Sequence, residues 1–205
     1  MFSKSLFNWL AGGALCCLAA AANAEPVVGQ PAPTFTAAAA EGGNLNLADL
    51  RGKTVILEWT NHECPFVQKH YQSGNIPKLQ KQAAAQGVVW LQVISSAPGK
   101  QGNIDAATAK QLNQTRGATP ANTVFDASGA VGKLYGATNT PQLFIIDPKG
   151  ILLYKGGIDS IQSADPADIA QAENYISAAL ADLAAGKPIS KAVTKPYGCT
   201  VKYAG

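Results

Sequence analysis

The chain has 205 residues, with 16 basic and 13 acidic side chains and a formal net charge of +3. That near-balance excludes a partner held mainly by charge, whether nucleic acid or an anionic membrane surface. Its four cysteines are too few for a disulfide-scaffolded mini-protein, and the length suits one domain with a substantial core of its own.

Residues 1–24 read as a secretory signal peptide. Lys4 supplies the positive start, Leu6 to Ala22 is apolar, and Ala22-Asn23-Ala24 is a small-x-small cleavage site before Glu25. The expected location is therefore across the inner membrane, in the periplasm, with no membrane attachment after cleavage. Cys16 and Cys17 leave with this segment, so the exported chain keeps Cys64 and Cys199.

Residues 25–185 are expected to form one domain. After an irregular Glu25 to Pro33, Phe35-Thr36 and Asn44 to Leu47 suggest a short hairpin, and Ala48 to Gly52 a turn. Thr54 to Trp59 is β-branched and apolar, as a buried strand should be. Helix follows from Pro65 to about Gln86, with a kink at Gly74 to Pro77. Next come a strand over Val88 to Ser95, a helix over Ala106 to Thr115, a short strand at Val124-Phe125 and a short helix over Gly129 to Tyr135. Leu143 to Asp147 and Ile151 to Lys155 form an antiparallel pair across Pro148-Lys149-Gly150, and Ala167 to Ala185 is a last long helix. Strands alternating with helices before a terminal hairpin imply an α/β fold, a mixed sheet with helices on both faces. Residues 186–205 form an extension that Pro188, Pro196 and Gly198 keep from being helical, and it carries Cys199 between Tyr197 and Tyr203.

Cys64 is the residue that points to chemistry. It follows the strand ending at Trp59 and precedes Pro65, which suits the first helical position, so Cys64 falls at the N-cap. Backbone N–H groups and the positive end of the helix dipole converge there and favour a thiolate.

With Gly29-Gln-Pro-Ala-Pro33, Cys64-Pro-Phe-Val67 and Thr138-Asn-Thr-Pro-Gln142, the chain resembles the thioredoxin-like superfold. More narrowly, it resembles the redoxin branch of alkyl hydroperoxide reductase and thiol-specific antioxidant proteins. The resemblance covers about residues 28 to 185. It implies a cis-proline at Pro141 which, with Thr140, shapes a substrate groove opposite Cys64. Two departures narrow it. Val67 stands where thioredoxins carry their second cysteine, and Asn61 stands where peroxiredoxins carry a threonine.

Cys64 and Cys199 are thus the candidate catalytic pair, with Cys64 as nucleophile and Cys199 as the resolving thiol brought in by a mobile tail. His62 and Glu63 are candidates to tune the thiol or relay its proton. A static Cys64–Cys199 clamp stays open as an alternative, closing a loop that would contribute up to about 5 kcal/mol. A non-enzymatic peptide-binding module, with Trp59 and Phe66 lining its groove, also stays open. So does a copper- or zinc-binding factor using His62, Cys64 and Cys199. No dinucleotide or phosphate-loop motif is present, and no cofactor is expected. The expected partners are a protein or small-molecule thiol, disulfide or peroxide, with the reductant supplied from outside.

Overall fold

The computed structural model describes residues 25–204, so the signal-peptide reading, with Cys16 and Cys17, lies outside the described residues. Two short strands, β1 (Thr36–Ala39) and β2 (Asn44–Asn46), lead through a 3-10 turn at Leu47–Leu50 to the central strand β3 (Val55–Trp59). Helices α1 (Pro65–Gln72) and α2 (Asn75–Ala85) precede β4 (Val89–Ile94). Then come α3 (Ala106–Thr115), β5 (Asn122–Phe125), α4 (Ala130–Tyr135), the two-residue β6 (Asn139–Thr140), β7 (Gln142–Ile146) and β8 (Leu152–Gly156). A 3-10 turn (Pro166–Ala170), α5 (Tyr175–Ala184) and β9 (Cys199–Thr200) complete the chain.

Seven strands form one mixed sheet in the order β2-β1-β5-β4-β3-β7-β8, with β3, β4 and β5 parallel and β7 antiparallel to β3. All five residues of β3 are buried, and their alternation feeds two cores. Val55, Leu57 and Trp59 pack with Phe144 and Tyr135 beneath α4, whereas Ile56 joins Val67, Ile76, Leu143 and Leu180 beneath α1, α2 and α5. Helices on both faces of a mixed sheet are the thioredoxin-like α/β arrangement expected from the sequence.

Three local expectations need correction. The helix drawn from Pro65 to Gln86 is two helices rather than one kinked helix, because Gly74 takes a left-handed conformation at φ 74° and starts α2 afresh. The long last helix begins only at Tyr175. Asn174 caps it by accepting from the Ser177 N–H, while the Asn174 backbone bridges Asp159 and its amide donates to Asn75 Oδ1. The third concerns the tail, expected to be mobile, which is fastened along its length. Lys155 of β8 exchanges backbone bonds with Ala192 and Thr194, and β9 pairs with β6. The tail thereby covers the outer edge of β8, an edge otherwise open to pairing with other chains. No helix among the described residues is long and apolar enough to cross a membrane.

Candidate functional site

Cys64 sits where the sequence places it, at the N-cap of α1 with φ −76° and ψ 122° and Pro65 opening the helix. Its side chain does not cap the first turn. The sulfur is wholly buried and donates instead to the Thr140 carbonyl oxygen at 3.2 Å. The Thr140–Pro141 bond is cis, as the resemblance implies.

The groove beside Pro141 is already occupied. Strand β9 lies antiparallel on β6, with Thr140 opposite Cys199 and Asn139 opposite Thr200. Asn139 Nδ2 donates to the Gly198 carbonyl at 3.0 Å, and the Val201 N–H donates to Thr138 at 3.0 Å. This is β-strand addition by the protein's own tail. It brings Cys199 beside Cys64, against the same apolar cluster, and both thiols are free. Burial, followed by the hydrogen bond and charge of Cys64, pushes the Cys199 thiol up to about 12, so at neutral pH it keeps its proton.

Two residues before Cys199, Tyr197 anchors the strand from below. Its ring meets Phe66 edge-on, with centroids 5.9 Å apart. Its hydroxyl donates to Asp159 Oδ1 at 2.5 Å and lies 3.1 Å from His70 Nε2. Lys69 Nζ stands 3.6 Å from Asp159 Oδ2, and Lys69, His70 and Asp159 are all buried. A buried charge pair with hydrogen bonds on both sides specifies one arrangement, because any other would strand a charge. Sequence reasoning did not assign this anchor. Its only local signal was a tyrosine beside the cysteine of an otherwise proline-broken tail.

Burial, and secondly the charge of Lys69, depress His70 to about 3, so the folded protein holds it neutral. Unfolding lets it take up a proton below about pH 6.5, and stability therefore falls as pH drops from about 6.5 toward 3. Between pH 6.5 and 5 this group is expected to remove about 2 kcal/mol. Urea unfolding at the two pH values measures the loss, and a His70→Gln variant should show it reduced. Equal losses in both proteins would remove His70 as the cause. Glu58, whose carboxyl burial raises even though Tyr71 and Trp90 each donate to it at 2.7 Å, acts in the opposite direction in both.

His62 and Glu63 do not join the sulfur. The exposed Glu63 accepts from the Gly102 N–H at 2.6 Å, and His62 faces Arg116 in a cleft along α1. Trp59 is a core residue and lines no groove, while Phe66 packs on Tyr197. Among the described residues no three His, Cys, Asp or Glu side chains are grouped to hold a metal ion, so His62, Cys64 and Cys199 do not form the soft metal site considered from sequence.

Structures similar in fold include a hypothetical protein from Sinorhizobium meliloti, at 23% identity and TM-score 0.71 over 89% of this chain and 97% of that one. An uncharacterized conserved protein from Geobacillus kaustophilus is similar at 21% identity and TM-score 0.71, over 87% and 93%. The thioredoxin domain of a thiol-disulfide oxidoreductase from Bacteroides vulgatus aligns at 18% identity and TM-score 0.50, over 71% and 96%. Comparison with curated proteins gives no match. The AhpC/TSA family matches residues 28–155, which take in Cys64 and the cis-proline and stop short of the tail. With its thioredoxin-like sheet, its helix-capping cysteine and this match, the chain belongs to the AhpC/TSA family of the thioredoxin-like redoxins.

Proposed function

We propose that the protein is an exported thiol–disulfide oxidoreductase whose redox pair is Cys64 and Cys199. The observation that carries this reading is the seating of Cys199 directly against Cys64 by β9. Cys64 attacks an external disulfide and releases one thiolate, giving a mixed disulfide on Cys64. Cys199 then attacks the Cys64 sulfur, releases the second thiolate and closes the Cys64–Cys199 bond. Its proton goes to the departing thiolate, so the protein loses two electrons and the external disulfide becomes two thiols. Thr140 and Pro141 shape the groove that holds Cys199 in line. Exchange is favoured over peroxide reduction because Asn61 replaces the peroxiredoxin threonine. The filled groove also argues against a module that simply holds foreign peptides.

Equilibration in glutathione redox buffers, read by intact mass, tests the assignment. The pair is expected to close and reopen with a potential above about −300 mV, whereas a value below that belongs to structural bridges. Such a value would make the bond a clamp, and failure of any Cys64–Cys199 bond to form would end the proposal.

A further inference from the structure

The groove side of Cys64 is filled by the protein's own strand, so a small exchange partner needs another flank of α1. Cys64 caps α1, and Gln68 and Tyr71, three residues apart, share one face of that helix. Beside that face lies an open cleft of about 330 Å³ lined by His62, Gln68, Tyr71, Gln72, Thr115 and Arg116. Arg116 lies over the Tyr71 ring at 5.0 Å, and among the described residues its guanidinium has no carboxylate within salt-bridge distance. Its nearest electrostatic neighbours are Tyr71 and the fully buried Glu58. His62 Nδ1 is buried without a hydrogen-bond partner, and burial first, then the charge of Arg116, keep this imidazole below its ordinary value against the pull of Glu63. Gln68 Nε2 fixes the loop by donating to the His62 carbonyl at 3.1 Å. The cleft therefore holds an unpaired planar cation, an imidazole ring, two amides and no acidic side chain.

We propose that this cleft is a carboxylate-binding subsite for a low-molecular-weight peptide thiol or its disulfide, a proposal that rests on reading Cys64 and Cys199 as a redox pair. A guanidinium stacked on an aromatic ring presents its fork edgewise, the geometry that takes a flat carboxylate in two parallel hydrogen bonds. Tyr71 lies seven residues beyond Cys64, about 10 Å along the helix. An extended peptide covers about 3.5 Å per residue. The spacing thus selects a thiol two or three residues from its carboxylate, rather than free cysteine. In exchange, the disulfide of this peptide accepts two electrons from the pair and leaves as two thiols, and the reverse reaction recharges it.

S-methylglutathione, which carries the carboxylates and cannot exchange, is the probe. Titrated into the reduced protein and followed by NMR, it is expected to saturate with shifts at His62, Gln68 and Arg116. Arg116→Gln should weaken it about tenfold or more, as loss of a hydrogen bond to a charged group does, and His62→Ala should weaken it as well. Unchanged binding in both variants, or tighter binding of inorganic phosphate than of the probe, would overturn the subsite. A second arm compares oxidation by glutathione disulfide with oxidation by cystamine, which has no carboxylate. The ratio of the two rates should fall about tenfold in Arg116→Gln, and an unchanged ratio counts against the proposal. If neither disulfide oxidises the pair, the redox reading fails, while the S-methylglutathione titration still decides the subsite.

Discussion

Cys64→Ser is expected to abolish disulfide exchange, whereas Cys199→Ser is expected to stop it halfway. The serine hydroxyl cannot attack a disulfide under these conditions, and Cys199, with its thiol held up to about 12, is a poor first nucleophile at neutral pH. Nothing in the Cys64→Ser protein can therefore begin the reaction. In Cys199→Ser the first step proceeds, but no sulfur stands opposite Thr140 to resolve the product. Incubation with glutathione disulfide should leave one glutathione on Cys64, read as a stable mass increment that dithiothreitol removes. In the wild type the same adduct should pass on to the internal disulfide. If Cys199→Ser accumulates no adduct while the wild type still oxidises, Cys199 is not the resolving thiol. If Cys64→Ser exchanges at the wild-type rate, the assignment of roles is wrong altogether.

Gly198→Ala is expected to unseat the tail with no change to either cysteine. Gly198 has φ 113°, a conformation that L side chains rarely adopt, and an added Cβ would overlap the Thr140 carbonyl oxygen and press on Phe66. That oxygen is the acceptor for the Cys64 thiol, and Thr140 is the residue that Cys199 pairs with. The clash therefore falls at the junction that holds the two sulfurs together. Strain of this kind costs about 1–3 kcal/mol, which changes the seated-to-detached equilibrium by a factor of about 5 to about 150. Cys199 should become more reactive to iodoacetamide by a factor in that range. On oxidation, the internal disulfide should give way to a glutathione adduct on Cys64. Because the tail is bound separately through Thr194 and Tyr203, and the domain core does not depend on Gly198, the melting temperature should shift little. An internal disulfide yield equal to that of the wild type would show that the glycine is not what permits the approach.

Much of the frame was legible in the chain. The buried strand Thr54 to Trp59, the cysteine before Pro65 and the proline at Pro141 are local signals, and each depends on side-chain alternation or a fixed φ that neighbours report. The break at Gly74 was visible as a kink, because glycine and proline weaken a helix locally. Its depth was not visible, because a left-handed residue is chosen by where α2 must pack. The split of the last helix was hidden for a related reason: Asn174 acts as a cap only because Asp159 and Asn75 lie beside it. Sequence proximity alone puts His62 and Glu63 at the cysteine. The loop turns one into the Arg116 cleft and the other toward Gly102, since neighbours in an irregular segment need not point the same way.

The sequence by itself determined the α/β frame, the helix-capping cysteine and the absence of a second cysteine at Val67. Only the tertiary structure decided where Cys199 sits. Cys64 and Cys199 are brought together by a two-residue strand too short to have a pattern, by a glycine whose value lies in one carbonyl it avoids, and by a tyrosine whose hydroxyl finds Asp159 and His70. Each is a contact between segments far apart in the chain. No local propensity encodes such contacts, because their free energy exists only once the sheet has brought the partners within reach.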